Sequence, residues 1–108
     1  MTTTLKSYLT ANVGLTATTV YNPTSAGIQS TVIGMTLANT TTSSVTANVT
    51  LTSGSTTVYL IKNVVLPSGN TLSVLGDGKF IVNEDDLVRV QSSAASSVDV
   101  IVSTVEVV

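Results

Sequence analysis

Residues 44–52 read SVTANVTLT, and this stretch decides the fold class. Val45, Ala47, Val49 and Leu51 hold one phase of a two-residue period, and Thr46, Asn48, Thr50 and Thr52 hold the other. Successive side chains of a strand point to opposite faces, so this pattern predicts a strand with one face in a core and one in water. Its Val and Thr residues are β-branched, stiff at χ1 and suited to a pleated surface.

The same period runs outward in both directions. Upstream, IQSTVIGMTLAN (28–39) places Ile33, Met35 and Leu37 in one phase and ends in the polar turn NTTTSS. Further back, LKSYL (5–9) and TATTVY (16–21) read as strands, the second closing on the loop NPTSAG. Downstream, SGS breaks the chain and TTVYLIKNVVL (56–66) runs apolar up to Pro67. PSGN (67–70) is a turn in which Pro67 presets its φ and Gly69 takes a positive one. A valine at Gly69 is therefore expected to cost more than one at Gly54, in the softer SGS loop. TLSVL, a GDG turn, KFIV and the acidic turn NEDD (83–86) follow. No window supports a helix of two turns, and there is no internal repeat. The expectation is an all-β chain of about eight or nine short strands. They would form a two-sheet antiparallel β-sandwich, jelly-roll or immunoglobulin-like. Residues 1–108 form a single domain, with 1–4 as a flexible N-terminal arm.

The last stretch, LVRVQSSAASSVDVIVSTVEVV (87–108), departs from simple alternation. Val98, Val100 and Val102 keep one phase, yet Ile101, Val105 and Val107 make the opposite face apolar as well. A strand buried on one side does not need that. Two explanations are open. Ile101, Val105 and Val107 face a neighbouring subunit or another partner surface, or a bulge near Ser103-Thr104 switches faces and turns them inward.

Composition narrows the function classes. The chain holds 20 Thr, 14 Ser and 18 Val, but only 9% charged residues and a net charge of −2. That share is far below the usual ~25% and offers little repulsion against self-association. Lys6, Lys62, Lys79 and Arg89 are scattered, which argues against nucleic-acid binding through phosphates. No apolar run nears the ~20 residues of a membrane helix. The start MTTTLKSYLT lacks a basic segment before an apolar run, so a secretory signal is not expected.

The chain has no His and no Cys. The commonest general base, thiolate metal sites, disulfides and the Ser–His and Cys–His nucleophile pairs are all missing. Lys6-Ser7 is an adjacent pair and not a positioned one, and GDGK (76–79) lacks the spacing of a P-loop. Asp85 and Asp86 are adjacent, so they cannot flank a glycosidic bond. The NEDD cluster, with Asp77 nearby, is either a calcium site or a solvated turn, and its spacing favours the turn. Asn39-Thr40-Thr41 and Asn48-Val49-Thr50 match the glycosylation pattern but read as ordinary turn and strand residues. Tyr8, Tyr21, Tyr59 and Phe80 read as packing residues. No catalytic residue, cofactor or metal is expected, and the chain is read as no enzyme.

Several segments together resemble the small virion structural proteins of tailed bacteriophages, cyanophages included. Leu37-Ala38-Asn39 matches that family's L-x-N strand end, and Val45 to Leu51 the strand after it. Pro67, Gly69, Thr71 and Leu72 match P-x-G-x-T-L. Asp86, Leu87, Arg89, Val90 and Ser92 match an acidic residue before a strand, and Ser97 to Ser103 match S-V-D-V-x-V-S. The resemblance runs from Tyr21 onward. NPTSAG and NED depart from the family's P-A-G and A-G-D, both in turns. What it implies is a structural protein of the virion, assembled in the host bacterial cytoplasm. A capsid decoration (cement) protein is preferred, forming a small homo-oligomer (trimer or hexamer) on the major capsid protein shell, without nucleic acid or membrane as partner. The alternative is a tail, neck, baseplate or fibre component.

Overall fold

This computed structural model describes residues 2–75 and 78–108. Gly76 and Asp77 of the expected GDG turn, and Met1, lie outside the described residues. Nine strands are formed among the described residues: β1 (Thr3–Val13), β2 (Thr18–Tyr21), β3 (Gln29–Asn39), β4 (Val45–Ser53), β5 (Thr56–Leu66), β6 (Thr71–Ser73), β7 (Phe80–Asn83), β8 (Leu87–Ser92) and β9 (Val98–Val107). The first sheet runs β1-β9-β3, with the short β6 and β7 end to end along the far side of β3. The second runs β2-β8-β4-β5. Every pairing is antiparallel. Apart from the β4–β5 hairpin and the β6–β7 pair, the chain crosses between sheets at each step. With β6 and β7 sharing one position, this is the jelly-roll order. Of the two expected sandwich types, the jelly roll is formed.

Alternation drives the core as expected. In β4, Val45, Ala47 and Val49 are buried and Leu51 is half-buried. They meet Met35 and Leu37 of β3, Val88 and Val90 of β8, and Val98, Val100 and Val102 of β9 in one cluster. Stacked inner faces stand ~10 Å apart, a gap that such branched side chains fill.

Two expectations are corrected. Ile33 does not share the core phase of Met35 and Leu37. Val32 pairs with Thr104 and Gly34 with Ser103, so Ile33 is an extra residue, a bulge. The bulge resets the phase, burying Val32 and Met35 and turning Ile33 outward, 40% exposed. The expected arm is not loose at Thr2–Thr4. Thr3 and Thr4 pair with Val107 and Glu106, and Thr2 and Val108 exchange two backbone hydrogen bonds of 2.8 and 3.0 Å. The reason is that β9 runs almost to the end of the chain and offers these residues an open ladder.

The glycine turns also differ from expectation in one respect. Gly69 has φ 72° in a turn closed by the Asn70 N–H on the Pro67 carbonyl, at 3.1 Å. Gly54, however, has φ 61°. It is the first residue of a two-residue hairpin between Ser53 and Thr56, the position where a type II′ turn requires positive φ. A Cβ at either site meets nothing within 4 Å, so the penalty is backbone strain alone. Gly54→Val and Gly69→Val are thus expected to cost about the same, roughly 1–3 kcal/mol each. Denaturant melts of both variants check this. A Gly54→Val protein as stable as wild type would remove the II′ argument.

Candidate assembly interface

Strand β9 alternates without interruption. Val98, Val100, Val102, Thr104 and Glu106 point inward, while Asp99, Ile101, Ser103, Val105 and Val107 point out of the sandwich. Ile101 is 46% exposed, and Val105 and Val107 are half-buried. The face-switching bulge considered for Ser103-Thr104 is not formed in β9. The irregularity lies across the ladder at Ile33, and it leaves all three residues outside.

The register shows what surrounds them. Leu5, Val105, Thr31 and Ile81 form one row across β1, β9, β3 and β7. Leu9, Ile101, Thr36 and Ser73 form another across β1, β9, β3 and β6. Between them lie the small residues Ser7, Ser103 and Gly34. Leu5 and Leu9 are 74% and 73% exposed, and Ile81 64%. These rows hold no ionisable group; on the same face, beyond the Leu9-Ile101 row, lies Asp99, opposite Ala38, and its Oδ1 already accepts the Asn12 N–H at 3.0 Å. The outer face of the second sheet is more polar, carrying Thr46, Asn48, Thr50, Arg89 and Gln91, with Tyr59 and Val65 on its edge strand.

The inside of the first sheet at this end is polar, so the usual polarity is inverted here. The inward phase of β1 is Thr4, Lys6, Tyr8 and Thr10. Glu106 is buried and accepts hydrogen bonds at Oε2 from Tyr8 (2.5 Å) and Tyr21 (2.7 Å), with the Thr104 hydroxyl at 3.4 Å. Tyr21 spends its one proton on Glu106 and so accepts from Ser30. Lys6 Nζ stands 4.0 Å from Oε1. The rings of Tyr8 and Tyr21 lie 4.8 Å apart, tilted by 44°. Burial pushes the Glu106 carboxyl up, but the Tyr8 and Tyr21 hydroxyls, the Lys6 charge and Thr104 outweigh it and hold the group below its ordinary value. Burial, with Glu106 as neighbour, pushes Tyr21 up to about 12 and Tyr8 higher still. A cleft of about 330 Å³ opens beside them, lined among others by Asn22 and Ser25. Oε2 takes both tyrosine protons while Oε1 faces the Lys6 ammonium, and the arrangement clamps β1, β2, β3 and β9 together.

The acidic turn serves a similar end. The buried Asp86 accepts the Asn83 N–H at 2.9 Å, and Glu84 accepts the Gly27 N–H at 2.9 Å. Asp85, with φ 69°, donates its N–H to the Pro23 carbonyl at 2.8 Å. These contacts fasten the 22–28 loop to the β7–β8 turn. Among the described residues no three His, Cys, Asp or Glu converge, and Asp77 falls outside them. Asn39 is buried; its amide donates to the Ser43 and Leu66 carbonyls, both at 2.9 Å, while its oxygen accepts from Thr41. That amide is a structural group and not an acceptor for a glycan in the folded protein. Asn48 accepts the Asn63 N–H at 2.7 Å. Tyr59 is exposed on β5, with Lys62 Nζ 5.1 Å from its ring centre.

Sequence reasoning reached Ile101, Val105 and Val107 but missed Leu5, Leu9, Ile81 and Glu106. A signal for Glu106 was present, since it sits in the same phase as Val98, Val100 and Val102.

Comparison with known proteins adds one point of reference. No family model and no curated protein matches the chain. A solved structure shares its fold. It is a subunit of Bacillus endospore appendages, described as a novel family of disulfide-linked pili. The match has a TM-score of 0.58 and 20% identity, and covers 97% of this chain and 87% of that one.

Proposed function

We propose that this protein is a non-enzymatic structural subunit that self-associates, and that it works in the virion of a tailed bacteriophage as a capsid decoration protein on the major capsid protein shell. The observation that carries self-association is the broad, nearly charge-free aliphatic face of the first sheet. At roughly 600 Å² it lies at the top of the range for the largest patch on a typical monomer, a size at which such patches are often functional. The segments from Leu37 to Ser103 that resemble phage virion proteins support the setting. The jelly roll is compatible with it but serves many roles, so fold alone carries little weight. Tail, neck, baseplate or fibre remains the alternative place in the particle. A second setting, a subunit of a surface filament, is favoured by the likeness to the endospore pilus subunit. These 108 residues contain no cysteine, so contacts between them would not be disulfide-linked.

Sedimentation at several concentrations tests self-association. Val105→Asp and Val107→Asp should remain folded, with melting temperatures near wild type, and lose the oligomer, because an unpaired charge in an interface is costly. Variants that assemble normally would refute the face. Copy number in purified particles separates the settings: hundreds per virion fit decoration, six to a few dozen fit neck or baseplate, and none at all refutes the virion.

A further inference from the structure

We propose that the outer face of the first sheet is covered by the same face of a second copy of this chain, the two sheets stacked about a two-fold axis that crosses the strands at Ser103. The inference rests on the self-association reading and names its partner and geometry.

Four observations carry it. The first is extent. Four strand positions about 4.8 Å apart and some nine residues at ~3.4 Å each give a footprint of roughly 600 Å². That approaches the ~800 Å² per partner of a standard interface. The second is matching relief. The aliphatic rows led by Leu5-Val105 and Leu9-Ile101 stand on either side of the small row Ser7-Ser103-Gly34. An axis across the strands at Ser103 lays each aliphatic row over the other row of the partner, and the small row over itself. Closed two-fold contacts of this self-complementary kind are the commonest in homo-oligomers.

The third is charge. Asp99 lies four residues from Ser103, so this axis separates the two Asp99 carboxylates by about 27 Å along the strands. An axis parallel to the strands would instead stack one on the other. Across the chosen axis, Asp99 lands over the row that contains Val107 and Gln29, and the exposed Gln29 amide supplies a donor. The fourth is the want of another match. Among the described residues outside this face, the exposed large apolar ones are Leu15, Val108 and, on the edge strand β5, Val58, Tyr59 and Val65. None of these makes a broad flat surface, and β5 is broken by register shifts against β4.

The absence of native cysteine makes the test clean. Ser103→Cys in the full chain is treated with a short bismaleimide that spans the ~10 Å between stacked sheets. Thr50→Cys, on the outer face of the second sheet, is the control. The expected result is a covalent dimer from Ser103→Cys and little from Thr50→Cys. Leu9→Asp, at an edge position already 73% exposed, should keep its melting temperature and associate about 100-fold more weakly. If the wild type sediments as an oligomer but Ser103→Cys does not cross-link, the two-fold stacking is overturned and self-association stands. Loss of the oligomer in Leu9→Asp without cross-linking of Ser103→Cys means the face meets a different surface, and also overturns the proposal. A wild type that is monomeric at every concentration overturns self-association itself.

Discussion

Replacing Glu106 with alanine is expected to lower the stability of the domain by about 3 kcal/mol, with chemical denaturation as the measurement. The change removes the shared acceptor of Tyr8 and Tyr21, leaving the Tyr8 hydroxyl without its protein partner and the Tyr21 hydroxyl with Ser30 alone. Tyr8→Phe should cost about 1 kcal/mol, since Glu106 keeps Tyr21. An alanine variant within 0.5 kcal/mol of wild type, taken as about the noise of a surface change, would dismiss the clamp. Acid supplies a second readout. The Glu106 carboxyl is held below its ordinary value of 4.5, so its contribution is complete above that value. It is lost as pH falls through the lower folded value. Glu106→Gln should flatten that part of the acid profile. At the alkaline end the sign reverses. Tyr21, raised from 10.0 to about 12, stabilises fully below pH 10.0 and loses its contribution as pH rises toward 12. Tyr21→Phe should remove that loss.

Asn39→Asp is expected to cost about 3–5 kcal/mol, although it changes one atom and no shape. The Asn39 amide nitrogen donates to the Ser43 and Leu66 carbonyls. A carboxylate oxygen in its place would set negative charge against two carbonyl oxygens at a buried site. The variant either stays charged and loses β4–β5 packing near Leu66, or takes up a proton and unfolds far more readily as pH rises. A urea titration at two pH values distinguishes these, and equal stability to wild type at neutral pH would show that the amide is not the donor assigned here.

Much of the sandwich was legible because its strands are half-buried and antiparallel. In β4 the alternation of Val45, Ala47 and Val49 is the packing. Ile33 escaped because a bulge adds a residue without any local marker, neither a proline nor a glycine at the bulged position itself. Gly54 escaped for a different reason. The demand for positive φ comes from the pairing of Ser53 with Thr56, and that pairing is not visible in SGS alone. The face was half legible. Ile101, Val105 and Val107 declared themselves as an excess of apolar residues in one strand. Leu5, Leu9 and Ile81 join them only through register, since LKSYL read alone looks like a strand burying its leucines. In the structure those leucines point to water and the intervening Tyr8 points in. Glu106 was passed over because an acid among valines reads as a solvent position until the phase is counted back to Val98.

The pairing of Thr2 with Val108 has a consequence for anything joined to this domain. The two residues lie opposite each other as a hydrogen-bonded pair, so their Cα atoms are about 5.5 Å apart. A peptide of a few residues can close the chain into a ring there without disturbing β1 or β9. Opening that ring at the Gly54-Ser55 turn would give a permuted chain with the same strands in a new order, its ends displaced to the β4–β5 hairpin. Cargo attached ahead of Thr2 and cargo attached after Val108 would leave from one and the same corner, held side by side.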